Sequence, residues 1–296
     1  MTHVATLISS PAAPAVTDAL VAAARAALAG TDTATLATGV AVDVFCDLAP
    51  GTEKAVAEDL RARLAAPVDV VVQKTATRAK GLLIADMDST MIGQECIDEL
   101  AAELGLKEKI SAITERAMRG EIAFEPALRE RVGLLAGLPA NVVDKVIAER
   151  IRLTPGAIEL VRTMRANGAY TALVSGGFTV FTGPLSQKIG FHENRANILL
   201  EEEGRLTGFV ADPILGQDAK HASLLELAAT HKVPIELTLA VGDGANDLAM
   251  IRASGLGVAY HAKPKVAAEA AARIEHGDLT ALLYVQGYRR SEFVAG

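Results

Sequence analysis

Two carboxylates, Asp86 and Asp88, stand one residue apart directly after a short apolar run, Leu82-Leu83-Ile84-Ala85. A run of that length reads as a buried strand of a parallel sheet. In open α/β sheets ligands bind beyond the carboxyl ends of the strands, so both acids are expected at the rim where a site forms. Acids this close repel each other unless a cation or a shared proton relieves them. Mg²⁺ is the simplest relief, because it takes oxygen ligands and commonly uses one or two carboxylates together with substrate phosphate. A solvated turn at a strand end accounts for D-x-D by itself equally well.

Three further stretches shift that balance. Strand Tyr170–Val174 runs into Ser175-Gly176-Gly177, where a hydroxyl and close-approaching backbone amides can hold an anion. Strand Leu237–Val241 runs into G-D-G-A-N-D, which offers Asp243, Asn246 and Asp247 beside glycines that allow a tight turn. Between them Lys220, near the start of a helix at G-Q-D-A-K, can neutralise a carboxylate and a phosphate. Each piece has a bland explanation as a turn or a solvated charge. Their occurrence around one sheet in this order does not.

The elements that must position these residues follow from apolar periodicity. Residues 3–74 read in the order β-α-β-β-α-β, the split βαβ pattern of ferredoxin-like α+β folds. A short polar link, Thr75–Lys80, leads to the Asp86 strand. From Ile92 to Arg152 the pattern is wholly helical, with segments near 94–105, 107–119, 124–136 and 140–151, punctuated at Gly105, Gly120 and Pro139. After Pro155 strands and helices alternate again, implying a doubly wound parallel sheet. A hairpin over 196–210, turning at Glu203-Gly204, is expected as an addition to that sheet. The expected organisation is an N-terminal unit over 1–74, an α/β core over 81–92 and 153–296, and a helical insertion over 93–152.

Composition narrows the function classes. Half the 296 residues are hydrophobic, enough for a sizeable core, and a formal net charge of −7 argues against nucleic acid as a partner. Cys46 and Cys96 are far apart, giving no disulfide framework or zinc spacing and suiting a reducing cytoplasm. Neither a leader nor a membrane span is expected.

D-M-D-S-T, V-S-G-G, Lys220 and G-D-G-A-N-D together resemble the four motifs of the haloacid-dehalogenase-like phosphotransferase superfamily, over about residues 81–260. The helical insertion after the first motif resembles the small cap of phosphoserine phosphatases, in which a glutamate, an arginine and a phenylalanine grip the amino acid; Glu95, Phe124 and Arg131 stand at the matching positions. A carboxylate for the ammonium and a guanidinium for the carboxylate of O-phospho-L-serine make physical sense. Either charge by itself suits an ordinary exposed helix. The resemblance implies Asp86 as nucleophile, Asp88 as acid and base, and Mg²⁺ on the Asp86 carboxylate, the Asp88 carbonyl and Asp243. It further implies Lys220, Ser175, Gly176 and Gly177 on the phosphate, Asn246 orienting it, and Asp247 holding Lys220 or the metal's waters. The dehalogenases of the superfamily lack an acid two residues after the nucleophile, so Asp88 favours phosphate esters. The N-terminal unit resembles ACT-like domains in element order alone, which leaves amino-acid sensing, dimerisation and a spacer role open. A homodimer is expected only from the general frequency of homo-oligomers. Two alternatives stay open: a related phosphatase or phosphotransferase on another small phosphomonoester, and an amino-acid-binding regulatory protein with a silent core.

Overall fold

The central strand, β5 (Leu82–Ala85), is buried on both faces because its alternate residues serve two different cores. The computed structural model describes residues 1–118 and 121–295. In it β5 is flanked by β6 (Tyr170–Phe178) and β10 (Thr238–Gly242) in a six-stranded parallel sheet of order β12-β11-β10-β5-β6-β7. The remaining strands are β7 (Glu193–Asn197), β11 (Leu256–Tyr260) and β12 (Ala272–Ile274). Leu83 and Ala85 point into one apolar layer with α7 (Ala157–Ala166), α8 (Thr179–Ile189) and α12 (Ala281–Val285). Leu82 and Ile84 point into the other, with α9 (Gln217–Thr230) and α10 (Leu248–Ala253). A continuous apolar run is what a strand between two helical layers requires.

Chain order reverses around β5, since β6 and β7 lie on one side of it and β10 to β12 on the other. Parallel strands on both sides of such a reversal leave a crevice at their carboxyl ends. The register pairs Ala85 with Val241 and the Asp86 N–H donates to the Val241 carbonyl, so Asp86 and Asp243 leave adjacent strands at the same level.

Residues 3–74 form β1 (His3–Ile8), α1 (Asp18–Ala27), β2 (Thr33–Ala37), β3 (Ala41–Cys46), α2 (Glu53–Leu64) and β4 (Asp69–Lys74), with the antiparallel order β2-β3-β1-β4. One sheet face packs on α1 and α2 and the other joins the apolar layer of α12. The link over 75–80, expected to be merely polar, is built in. Arg78 donates to both oxygens of buried Asp43 at 2.8 and 3.1 Å and to the carbonyls of Tyr284 and Val285. Lys80 is buried and donates to the Glu236 carbonyl at 2.9 Å.

The insertion comprises α3 (Cys96–Glu103), α4 (Lys107–Met118), α5 (Phe124–Gly133) and α6 (Val142–Glu149), closed at its base by an antiparallel bridge between Ile92 and Leu153. The end of the helix expected over 107–119 and the joint expected at Gly120 lie outside the described residues. The hairpin, β8 (Leu199–Glu202) and β9 (Arg205–Val210), turns at Glu203-Gly204 as expected but forms its own two-stranded sheet rather than extending the core. Main-chain bonds Gly137 N to Leu206 O, Leu206 N to Leu138 O and Ala140 N to Gly204 O tie it to the cap instead. Gly208 permits this approach: a Cβ there would lie 2.8 Å from that of Ala136. The strand at this edge of the core is β7, whose end the sequence reading merged with the hairpin.

Candidate active site

A short strand followed by a tight turn aims the first pair of acids. Asp86 closes β5 and accepts the Met87 N–H at 2.8 Å; Asp88 continues in extended geometry; Ser89 then adopts φ 55°, a left-handed conformation unusual for serine. Such strain persists where surrounding structure enforces it. The reversal lets the Ser89 hydroxyl donate to Glu95 Oε1 at 2.7 Å and the Cys96 N–H donate to Asp88 Oδ1 at 3.3 Å, at the start of α3.

Lys220, in the first turn of α9, has no exposed surface. Its Nζ lies 2.8 Å from Asp86 Oδ1 and 2.6 Å from Asp247 Oδ1. Burial works to lower its pKa, but the two carboxylates overcome that and hold it above the ordinary lysine value. Asp247 also accepts the Gly244 N–H at 3.0 Å, and Gly242 must lack a side chain because a Cβ would lie 2.4 Å from the Asp247 carboxyl. Oxygens of Asp86, Asp243 and Asp247 all lie within 4.8 Å of one another. Burial, then repulsion from Asp86 and Asp247, pushes Asp243 up to about 7; burial and Asp86 push Asp247 up to about 6. Asp86 and Asp247 share the Lys220 ammonium with Asp243 beside them, and an all-oxygen donor set suits a hard divalent cation such as Mg²⁺.

Asp88 stands apart from that trio. Burial, reinforced by Glu95, raises its carboxyl well above the usual range. Its Oδ2 lies 3.1 Å from where a Cβ of Gly177 would be, so the β6 segment passes close beside it. That segment departs from the expected strand-then-turn. β6 continues to Phe178, pairing Val174 with Arg195 and Phe178 with Asn197, and Ser175-Gly176-Gly177 bulges out of the ladder between those pairs. Buried Ser175 accepts the Gly177 N–H at 3.0 Å. Asn246 is half-buried in the turn after β10.

From the cap, Phe124 reaches over two core glycines: its ring would lie 3.5 Å from a Cβ at Gly176 and 3.4 Å from one at Gly216. Arg131 donates to the Ala127 carbonyl and to Thr114 Oγ1. Burial lowers its pKa against the opposing fields of Asp98, Glu95 and Asp88. Glu95 is exposed at the mouth. The structure thus gathers Asp86, Asp88, Lys220, Asp243 and Asp247 at one sheet end with Ser175, Gly176, Gly177 and Asn246 around it and Glu95, Phe124 and Arg131 above.

The haloacid dehalogenase-like hydrolase family matches residues 83–252. A phosphoserine phosphatase of Streptomyces coelicolor is 44% identical over 234 residues, 79% of this chain and 57% of that protein. One of Saccharomyces cerevisiae is 36% identical, covering 85% of this chain and 84% of the other. The crystal structure of a HAD-family hydrolase, t0658, from Salmonella enterica superposes with a TM-score of 0.85 at 28% identity, over 96% of this chain and 99% of that one. The chain belongs to the haloacid dehalogenase-like hydrolases. It spans little more than half the length of the Streptomyces relative.

Some supports of this hydrolase site went unread in the sequence. Thr90 donates to Asp243 Oδ1 at 3.5 Å, and Ser89 anchors Glu95; both lay within the D-M-D-S-T run. Buried Asn197 donates to the carbonyls of Gly176 and Leu215 and accepts the Leu215 N–H. Within R-A-N-I-L-L it carried no signal beyond that of a strand residue. Cys96 is fully buried, and burial raises its thiol pKa well above the ordinary value, which makes it inert.

Proposed function

We propose that this chain is an Mg²⁺-dependent phosphoserine phosphatase that hydrolyses O-phospho-L-serine to L-serine and phosphate, the last step of serine biosynthesis. The observation that carries the reading is Asp86, buried at the end of β5 with one oxygen on Lys220, beneath a cap that offers Arg131 and Glu95. Curated relatives of that name over most of the chain support it.

In this reading an Asp86 oxygen attacks phosphorus while the bond to the seryl oxygen breaks and Asp88 gives that oxygen its proton. Burial and the nearby Glu95 raise the Asp88 pKa, which favours its protonated form. Water then attacks the aspartyl-phosphate, passes a proton to Asp88, and phosphate leaves as the bond to Asp86 breaks. Lys220 balances charge on the phosphoryl oxygens, with Ser175 and the Gly176 and Gly177 amides completing the cradle, Asn246 orienting it and Asp247 holding Lys220. The Asp86 and Asp243 carboxylates and the Asp88 carbonyl would hold Mg²⁺, which neutralises phosphoryl charge when bound. Arg131 would face the substrate carboxylate, Glu95 the ammonium, and Phe124 the stem.

Phosphate release from O-phospho-L-serine, phosphothreonine, phosphohomoserine, a sugar phosphate and an aryl phosphate, with Mg²⁺ and with chelator, tests this. Phosphoserine leading in kcat/KM and silenced by chelator is the expected result. A flat or sugar-preferring profile overturns the substrate while sparing Asp86, and no release from any ester leaves the regulatory reading. The β-α-β-β-α-β order of residues 3–74 supports an ACT-like unit over 1–74, ahead of the core over 81–92 and 153–296 and the cap over 93–152. Two free buried cysteines support a cytoplasmic setting. Among the described residues no helix is long and apolar enough to cross a membrane. A homodimer belongs to the same proposal, and sedimentation of the whole chain decides it.

A further inference from the structure

Asn197 ends β7 with 2% of its surface exposed, yet its side chain touches no reacting group. Its amide nitrogen donates to the Gly176 carbonyl at 2.9 Å and the Leu215 carbonyl at 3.2 Å, and its oxygen accepts the Leu215 N–H at 2.7 Å. Two carbonyls and one N–H around one amide fix which end is nitrogen, and both of its donors are used.

A peptide group is planar and trans, so its C=O and N–H point opposite ways. Holding the Gly176 carbonyl toward Asn197 therefore turns the Gly177 N–H away from it, to the Ser175 hydroxyl at 3.0 Å on the side of the site. The same logic at Leu215 turns the Gly216 N–H away from Asn197, just ahead of the helix that carries Lys220. Glycine supplies no Cβ to resist a peptide flip. Since Ser175-Gly176-Gly177 bulges out of its ladder, strand pairing does not hold this peptide either.

We propose that Asn197 is a positioning residue: it locks the Gly176–Gly177 peptide with its N–H toward the anion and ties that bulge to the loop before Lys220. This rests on the phosphatase reading for the identity of the anion. A side chain with no donors cannot do the work, and one that presents an acceptor to two carbonyls works against it.

The test is binding of inorganic phosphate to the whole chain in Mg²⁺ buffer by titration calorimetry, with wild type, Asn197→Asp and Asn197→Ala, each well below its unfolding temperature and scaled to its active folded fraction. Asn197→Asp is nearly isosteric but opposes both carbonyls, and should weaken phosphate about tenfold or more; Asn197→Ala only removes the donors and should weaken it less. In protein labelled with [¹⁵N]glycine, the Gly177 amide resonance should move on phosphate addition in wild type and lose that response in Asn197→Asp. Should Asn197→Asp fail to fold, Asn197→Ala is read by the same two measurements. Phosphate affinity and Gly177 response unchanged in the folded variants would reduce Asn197 to a packing residue and overturn the inference, as would a wild type that binds no phosphate. A wild type that binds phosphate but releases none from phosphoserine sinks the substrate reading and leaves the Asn197 comparison intact.

Discussion

Replacing Lys220 by methionine should destabilise the fold as well as silence the site, and the size of the loss follows from what it leaves behind. The Lys220 ammonium, with no exposed surface, lies 2.8 Å from Asp86 and 2.6 Å from Asp247, which are 4% and 0% exposed. At an effective dielectric constant near 20 each contact is worth roughly 6 kcal/mol of gross attraction, most of it offset by desolvation. Methionine fills the volume, so packing changes little; the two buried carboxylates lose their cation. Removing one partner of a buried ion pair costs about 3–5 kcal/mol. The assay is urea denaturation at pH 7.5 with chelator, so that no metal substitutes for the lost charge. Lys220→Met should lose about 3–5 kcal/mol, and Lys220→Met/Asp247→Asn should recover about half, because the second change removes one uncompensated charge and keeps an acceptor for the Gly244 N–H. A single variant within 1 kcal/mol of wild type, or a double variant no more stable than the single, would refute the reasoning that Lys220 exists to hold acids together.

Other outcomes follow from the same geometry. Asp86→Asn should abolish phosphate release with circular dichroism unchanged, and near-normal turnover would remove Asp86 from the nucleophile's place. Arg131→Ala should raise KM for phosphoserine roughly tenfold to a hundredfold, the worth of a charge-assisted bond, with a smaller change in kcat; an unchanged KM counts against the carboxylate grip. Burial lowers Lys80 to about 8 against its neighbour Glu236, so below pH 8 the folded state carries a charge it disfavours, and that cost fades as pH rises toward the unfolded value of 10.5. Lys80→Met should therefore gain about 2–3 kcal/mol on wild type at pH 7 relative to pH 10, read by chemical denaturation; an equal gap at both pH values would refute it.

Much of this molecule was legible because its information is local. Leu82 to Ala85 read as a doubly buried strand from its own residues, and acids at its carboxyl end were expected at the sheet rim. The β-α-β-β-α-β order of residues 3–74 is the one periodicity indicated, and among the described residues the cap helices start within two residues of where apolar spacing put them. The core motifs carried their signal in position, since D-M-D-S-T and G-D-G-A-N-D directly follow strands and Lys220 stands in the first turn of a helix. What periodicity could not supply was pairing. Residues 196–210 read as one hairpin on the core, yet Asn197 belongs to the edge strand and β8–β9 to the cap, because main-chain bonds to 137–140 outcompeted the core edge. A charged link became a buried clamp when Arg78 met Asp43 across two elements. Lys220 read as a solvated charge or as one that neutralises a carboxylate and a phosphate, with Asp247 as a partner the resemblance implied; packing of α9 on the sheet is what buried it fully between Asp86 and Asp247, two acids from different strand ends. Sequence by itself determined which residues form elements and which end in polar turns. Tertiary structure decided the partners of each buried charge and amide, because those depend on the register and crossing of segments far apart along the chain.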